Sequence, residues 1–196
     1  MKTVNVTLAG VGGQGILLTA DILARTAAAA GMDVKKSEIH GMAQRGGSVI
    51  SQVRFGVSVH SPIVPDGATD VLVAFDKLEA LRWAHTLAPG GKALLNNAYL
   101  VPVTVTSGQQ NDVADLDGRV DSALPGALKI DAAALAREAG NERTANMVIA
   151  GALSAICPFR ESHWLAAMAE MLSGPKAKLL EVNKKAFALG RAAAGG

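Results

Sequence analysis

The chain has 196 residues, of which 49% are hydrophobic and 18% are charged, and its formal net charge at pH 7 is +2. This length and apolar content predict one folded domain with a sizeable core and exclude bulk disorder. The single cysteine, Cys157, excludes a disulfide framework and an iron–sulfur cluster held by four thiolates of this chain, and the near balance of 19 basic and 17 acidic residues gives little reason to expect nucleic-acid binding.

The N-terminal third alternates strand and helix signals. β-Branched and apolar residues predict a strand over 3–9, and a helix follows over 16–30 and ends at Gly31. Two further strands are predicted over 32–39 and 48–55, and the second alternates with period two, so that one of its faces is polar. A short run over 57–60 is predicted to form a small antiparallel hairpin with the strand before it.

From Asp70 onward the pattern is typical of a parallel sheet with connecting helices. Strands are predicted over 70–75, 92–95, 101–105 and 127–130, helices over 77–87, 132–139, 144–156, 162–172 and 175–191, and a surface loop over 107–126. Together, these strands and helices predict one α/β domain over 1–191 with a flexible tail at 192–196. Its architecture is an open, mostly parallel sheet with helices on both faces and a small antiparallel hairpin.

No segment predicts a membrane span or an export signal. The uncharged stretch 144–159 is shorter than the ~20 residues that a membrane helix needs. Glycines and Gln14 interrupt the apolar run near the N-terminus, where a signal peptide would have its core. We therefore expect a cytoplasmic protein, with Cys157 as a free thiol in the core.

A first glycine-rich loop follows the first strand and leads into the first helix. Gly10, Gly12, Gly13, Gln14 and Gly15 form a G-x-G-x-x-G pattern, and Glu38 follows near the end of the second strand. In a dinucleotide site such glycines approach a pyrophosphate at a helix N-terminus, and the acidic residue binds the ribose. The pattern is equally consistent with a tight turn that binds nothing.

A second glycine-rich loop follows the second strand. It contains His40, Gln44, Arg45, Gly46, Gly47 and Ser48, in which a guanidinium and several backbone donors could meet one anion. The alternative is a turn with a solvated arginine. Because both loops end strands at the carboxyl edge of one sheet, the pair favours a site there.

Familiar catalytic motifs are missing from the sequence. It has no G-x-S-x-G, no H-E-x-x-H and no Walker loop, and its histidines are scattered. His40, with Glu38 beside it, is the one acid–base candidate in a plausible site. We assign no catalytic residue, and a binding edge without evident chemistry suggests a subunit.

The two loops and the C-terminal part together resemble a known family. The glycine loop with its Ala/Leu-rich helix and the His-Gly-Met-Ala-Gln-Arg-Gly-Gly-Ser segment at 40–48 resemble the gamma subunits of 2-oxoacid:ferredoxin oxidoreductases. Asn146 and the Gly-Ala-Leu at 151–153 fit the same pattern. The similarity covers nearly the whole chain and is greatest to the short beta subunits of indolepyruvate ferredoxin oxidoreductases.

The resemblance implies an accessory subunit of an oxidoreductase that converts a 2-oxoacid, here indolepyruvate, to an acyl-CoA. It implies that thiamine diphosphate, Mg and iron–sulfur clusters belong to a large partner subunit, that ferredoxin takes the electrons, and that coenzyme A takes the acyl group. This chain would itself hold no cofactor and would be inactive alone. Its α/β domain would pack beside the active site, near the approach of coenzyme A.

Two other functions remain open at this stage. One is an independent NAD(P)-dependent dehydrogenase that uses the first loop, with Lys35 and Lys36 available to a 2′-phosphate. The long Gly/Arg segment after the second strand has no purpose in such an enzyme. The other is a structural domain that binds a partner chain and no small molecule.

Overall fold

The computed structural model describes residues 2–40 and 47–195, with His40 and Lys176 described by their backbone alone. The strands are β1 (Val4–Val11), β2 (Asp33–His40), β3 (Ser48–Gly56), β4 (Thr69–Ala74), β5 (Leu87–Asn96) and β6 (Leu128–Ile130). The helices are α1 (Ile16–Ala29), α2 (Lys77–Trp83), α3 (Val103–Thr106), α4 (Leu116–Ala123), α5 (Ala132–Ala139), α6 (Ala145–Ile156), α7 (Glu161–Met171) and α8 (Leu180–Ala193).

The six strands form one sheet in the order β2-β3-β1-β4-β5-β6. Strands β1, β4, β5 and β6 run parallel to one another, whereas β3 runs antiparallel to both of its neighbours. This confirms the predicted open, mostly parallel α/β sheet. It also places the carboxyl ends of β1 and β2 and the amino end of β3 at the same edge.

The antiparallel part of the sheet differs from the prediction in its partners. Residues 57–60 form no strand, so the predicted hairpin between 48–55 and 57–60 is wrong. Strand β3 pairs with the preceding β2 on one side and with β1 on the other. Because both hydrogen-bonding edges of β3 are occupied, no edge is left for the segment that follows it.

Two further predictions are wrong in the middle of the chain. The strand predicted over 101–105 is replaced by the short helix α3, which begins after Pro102. The surface loop predicted over 107–126 contains α4, whose N-terminus is capped by the Asp115 carboxylate through the Gly118 amide. Only Val120 of α4 is buried, so the segment has no clear apolar period. Near the C-terminus, α8 ends at Ala193, two residues beyond the predicted end of the last helix.

Helices cover both faces of the sheet, as predicted. Val71 and Val73 of β4 point into a large core formed with α1 and α5–α8, and Leu72 and Ala74 point into a smaller core formed with α2 and α4. This alternation follows from the period-two geometry of a strand that is buried on both faces.

Helix α6 lies inside the larger core and packs closely on α8. A Cβ atom at Gly151 would lie 1.9 Å from the carbonyl oxygen of Phe187, and one at Gly190 would lie 1.9 Å from that of Val148. The two backbones therefore meet at these glycines. None of the helices formed by described residues has the length and apolar character needed to cross a bilayer.

Candidate functional site

The two glycine-rich loops meet at one edge of the sheet. Val49 of β3 pairs with Gly10 of β1 on one side and with the backbone of His40 on the other. Beyond the strands, the Gly12 amide donates a hydrogen bond of 2.9 Å to the Gly47 carbonyl. The start of the first loop is thus joined to the end of the second.

Gln14 holds the first loop in place from within. Its side-chain oxygen accepts the Val11 amide at 2.8 Å, and its side-chain nitrogen donates to the Phe75 carbonyl at 3.2 Å. Asn96 of β5 donates to the same carbonyl at 3.1 Å and accepts the Ala132 amide at 3.2 Å. The carboxyl ends of three strands are therefore tied together by two amide side chains.

Two of the loop glycines are required by close packing. A Cβ on Gly10 would lie 2.8 Å from the Phe75 Cβ, and one on Gly15 would lie within 2.9 Å of three side-chain atoms of Asn146. Gly15 also has φ +83°, in the left-handed region that favours glycine. Gly13, at φ +106°, has no atom within 4 Å of a hypothetical Cβ and faces open space. The loop is therefore both a packed turn and an open surface.

Helix α1 begins at this open surface without a side-chain cap. Its N-cap is Gly15, which has no side chain to accept the first backbone N–H groups. A small cavity of about 250 Å³ lies in front of it, lined by Gly12, Gly13, Gly15, Ile16, Leu17 and Val49. Free N–H groups and the helix dipole favour an anion at such a position.

The structure keeps Glu38 away from the first loop. Glu38 pairs with Ser51 of β3, and Ser51 pairs with Leu8 of β1, so Glu38 lies two strands from β1, or about 10 Å. Its carboxylate contacts Lys36 at 2.6 Å, and Lys36 also contacts Asp21. The arrangement expected for an independent NAD(P) dehydrogenase, with the acidic strand next to β1, is therefore not formed.

The second loop is described at its two ends. The backbone of His40 lies level with Gly10, while Gly47 and Ser48 are described in full. The other predicted residues of this loop, Gln44, Arg45 and Gly46, lie outside the described residues, as does the His40 side chain.

A cleft that the sequence did not reveal lies beside the first loop. It has a volume of about 240 Å³ and is lined by Val11, Gly12, Ser48, Asp76, Leu78, Glu79, Arg82, Leu100, Val101, Pro102 and Val103. Its walls are apolar apart from one serine, one arginine and two carboxylates. The two carboxylates belong to the N-cap and first turn of α2.

Asp76 is fully buried at the floor of this cleft. One carboxylate oxygen accepts the Leu78 amide at 2.8 Å and caps α2, and the other accepts the Leu100 amide at 2.7 Å. Burial raises the pKa of this carboxyl above its ordinary value, against the opposing effect of the backbone hydrogen bonds. Asp76 therefore ties the segment before α3 to the start of α2.

Glu79 is also buried, with 1% of its side chain exposed. One carboxylate oxygen accepts a hydrogen bond from Ser48 Oγ at 2.6 Å, and the other contacts Arg82 Nη1 at 2.5 Å. Sequence reasoning missed this residue, because an acid in the first turn of a helix ordinarily faces solvent. Its partner, Ser48, was among the predicted site residues.

Exposed apolar side chains lie at the mouth of the cleft. Leu100, Val101 and Val103 are 48%, 45% and 69% exposed. They lie at the edge of the sheet that carries both glycine loops. Another cavity, of about 630 Å³, lies at the amino ends of β5 and β6 instead, and contains no predicted site residue.

The described residues include no group of three or more His, Cys, Asp and Glu side chains placed to hold a metal ion. Cys157 is buried at the end of α6, where burial raises its pKa to about 12. A thiol with such a pKa stays protonated at neutral pH, whereas metal binding requires the thiolate.

Comparison with known proteins identifies related chains along the whole length. A family model described as pyruvate ferredoxin/flavodoxin oxidoreductase matches residues 5–193. Indolepyruvate oxidoreductase subunit IorB of Pyrococcus horikoshii is 42% identical over 197 residues, which cover 99% of this chain and 97% of that protein.

Two solved structures share the fold. The gamma subunit of a keto/oxoacid ferredoxin oxidoreductase from Geobacter sulfurreducens is similar at a TM-score of 0.71 and 23% identity, covering 97% of this chain and 98% of that one. The 2-oxoglutarate:ferredoxin oxidoreductase of Magnetococcus marinus, solved with 2-oxoglutarate, coenzyme A and succinyl-CoA bound, is similar at a TM-score of 0.75 and 23% identity. That match covers 100% of this chain and 31% of the other.

Proposed function

The chain belongs to the pyruvate ferredoxin/flavodoxin oxidoreductase family, and from this we propose that it is the accessory subunit of an indolepyruvate ferredoxin oxidoreductase. The observation that carries the proposal is the end-to-end match to a subunit of that name, over 99% of this chain and 97% of the relative. A chain that matches a subunit over 97% of the length of that subunit is expected to work in a complex.

In the proposed complex, the 2-oxoacid loses carbon dioxide, its acyl carbon is oxidised, and the acyl group forms a thioester with coenzyme A. The electron pair passes in single steps to oxidised ferredoxin, and the thiol proton is released to solvent. Bound thiamine diphosphate would stabilise the carbanion formed on decarboxylation. We assign no catalytic residue to this chain and propose that it contributes binding and positioning instead.

Thiamine diphosphate, Mg and the iron–sulfur clusters are assigned to a large partner subunit. A cluster commonly needs four thiolates, and this chain has one cysteine. That cysteine is buried, and its raised pKa opposes formation of the thiolate. We place the complex in the cytoplasm, where ferredoxin would be its electron acceptor.

The edge with the two glycine loops is the part of this chain that we propose to face the reaction. The uncapped start of α1 and the Gly12 and Gly13 backbone offer N–H groups to an anion. Arg45 of the second loop adds a guanidinium, which binds phosphate or carboxylate through paired hydrogen bonds. The phosphates of coenzyme A are the anion that the proposed reaction supplies.

The apolar segment beside this edge is proposed to contact the large subunit. Leu100, Val101 and Val103 are exposed next to the cleft. Contiguous exposed apolar side chains mark interaction surfaces, and obligate interfaces are more apolar than ordinary surface. Covering this segment would bring the glycine loops close to the partner.

Co-expression with candidate large subunits tests the proposal. We expect a large subunit that carries iron to co-purify with this chain, and the complex to reduce ferredoxin with indolepyruvate in a reaction that depends on coenzyme A. The chain purified alone should lack iron and show no activity with any 2-oxoacid. Turnover by the isolated chain, or saturable binding of NADH to it at micromolar concentration, would contradict the proposal.

A further inference from the structure

The buried carboxylate of Glu79 is not explained by its helix alone. An acidic residue in the first turn of α2 is favoured by the helix dipole, and an arginine three residues later is a common partner. Both interactions form equally well on an exposed face. Burial of a carboxylate is costly unless its oxygens are hydrogen-bonded. In Glu79, one carboxylate oxygen contacts Arg82 of the same helix. The other accepts a hydrogen bond from Ser48, which lies 31 positions earlier in the chain.

That distant partner, Ser48, is the first residue of β3 and follows the second glycine loop directly. Ser48 pairs with Val11 in the sheet, and the preceding Gly47 accepts the Gly12 amide. Gly47 is a glycine, so no side-chain contact of its own can fix its position. Of the two residues described at this end of the loop, Ser48 is therefore the one whose side chain ties the loop to another element.

Arg82 completes the arrangement. Its guanidinium contacts the Glu79 oxygen that Ser48 does not use, and 51% of its side chain is exposed at the cleft. The ion pair offsets the negative charge of Glu79, while the other carboxylate oxygen accepts the Ser48 hydroxyl. Replacing the glutamate by an apolar side chain would fill the space but would leave the Ser48 hydroxyl without this acceptor.

We propose that Glu79 is a positioning residue. Through the hydrogen bond from Ser48 it fixes Gly47 and Ser48, and Gly47 accepts the Gly12 amide of the first glycine loop, so that Glu79 sets the affinity of the assembled enzyme for coenzyme A. The proposal rests on the function proposed above. It deepens that function by naming a residue, outside both glycine loops, that holds Gly47 and Ser48 beside the first loop.

Steady-state kinetics of the co-expressed complex tests this, with coenzyme A varied at saturating indolepyruvate. Loss of a hydrogen bond to a charged group corresponds to a change on the order of tenfold. Ser48→Ala deletes the hydrogen bond, and Glu79→Gln removes the charge of its acceptor and the ion pair with Arg82. We expect each to raise the KM for coenzyme A by up to about that factor, with kcat within about twofold of the wild type. Ser48→Thr, which keeps the hydroxyl, should restore most of the affinity.

A double variant separates a shared role from two independent ones. If the two residues act through one hydrogen bond, Ser48→Ala combined with Glu79→Gln should raise KM no further than the larger single effect. The matched control is Glu181→Gln, since Glu181 forms an ion pair with Lys184 at the same three-residue spacing but is exposed on α8. It should leave the KM unchanged.

Hydrogen–deuterium exchange on the full chain provides a second measurement that does not depend on activity. Peptides that contain residues 47–49 should exchange faster in Ser48→Ala and Glu79→Gln, and at the wild-type rate in Glu181→Gln. Ser48→Ala removes one hydroxyl from a half-buried site, so it decides the question even if Glu79→Gln fails to fold.

The outcomes distinguish the two proposals. If the wild-type complex shows no coenzyme A-dependent activity, the proposed function fails, and exchange alone then decides whether Glu79 positions the loop. If the wild-type complex is active but Ser48→Ala changes neither the KM for coenzyme A nor the exchange of residues 47–49, the role of Glu79 is overturned while the proposed function stands.

Discussion

The amide of Gly12 donates a hydrogen bond to the carbonyl of Gly47, with 2.9 Å between nitrogen and oxygen. These two residues are 35 positions apart, in different glycine loops. The bond forms because β1 and β3 are antiparallel neighbours, so that the end of one strand lies beside the start of the other. At one edge of the sheet, the backbone of the first loop is therefore joined to Gly47 at the end of the second loop.

Substitution of Arg45 is expected to impair the assembled enzyme more than any other change in the second loop. Arg45 is the only permanent charge between His40 and Ser48. Loss of a buried charge-assisted bond costs about 2–5 kcal/mol, or roughly 30- to several-thousand-fold in the relevant constant. Arg45→Ala should therefore weaken coenzyme A dependence or subunit association. Arg45→Lys should impair the same quantity, although it keeps the charge, because an ammonium cannot form the paired hydrogen bonds of a guanidinium.

The measurement is steady-state kinetics with coenzyme A varied, alongside a separate titration of subunit association. Arg119→Ala on the exposed side of α4 is the control, and it should change neither quantity. If Arg45→Ala behaves like this control, the arginine is a solvated charge.

Introducing a charge into the apolar segment should separate the subunits without unfolding the chain. Val103 is 69% exposed beside the cleft, and Val57 is 73% exposed after β3, at the opposite edge of the sheet. Val103→Glu should weaken association with the large subunit by about tenfold or more, because a carboxylate would be buried against an apolar partner. Val57→Glu should bind like the wild type.

Calorimetric titration of the two subunits, with thermal unfolding of each variant as a check on the fold, measures this effect. Equal affinities for the two variants would show that the partner does not cover the segment next to the cleft.

Alanine at the crossing of α6 and α8 should destabilise the fold. The new Cβ at Gly151 or Gly190 would meet a backbone carbonyl at 1.9 Å, so the helices would have to separate. Overpacking of this kind costs about 1–3 kcal/mol and sometimes more. Gly118→Ala in α4 is the comparison, because the atoms nearest to its new Cβ belong to the Asp115 side chain, which can move; the loss of that cap is offset by the higher helix propensity of alanine. Denaturant unfolding should give a clearly lower free energy for the first two variants and a change below about 1 kcal/mol for the third.

Tyr99, the single tyrosine, should titrate at unusually high pH. Its hydroxyl donates to the Asp112 carboxylate, and this hydrogen bond raises its pKa to about 12. Because the folded-state pKa lies above the ordinary value of about 10, the hydrogen bond contributes fully below pH ~10 and is lost as the pH rises through about 12. Tyrosinate absorbance should show this midpoint in the wild type.

Asp112→Asn should return the Tyr99 titration toward the ordinary value, whereas Asp121→Asn, at an acid that instead pairs with Lys129, should not. A wild-type midpoint near 10 would mean that Tyr99 and Asp112 are not in contact in solution, and that the segment 97–101 lies differently beside the cleft.

Local sequence was sufficient to predict those helices and strands whose start and end are marked by residues within the element or directly beside it. Helix α5 has the predicted bounds, because Asp131 caps its start and Gly140 ends it in the left-handed conformation. The unit of β1, glycine loop and α1 was predicted for a similar reason: β-branched residues, glycines and an alanine-rich helix follow one another directly. Helix α4 was missed because its cap at Asp115 precedes a segment with a single buried side chain.

The sequence by itself determined the fold class and the two loops, since strand and helix periods and glycine positions act over a few residues. Only the tertiary structure decided that β3 lies between β1 and β2, which removes Glu38 from the first loop and brings Gly47 to Gly12. It also decided that Glu79 is buried against Ser48. Strand order and burial depend on contacts between residues far apart in the chain, and no local pattern of residues encodes them.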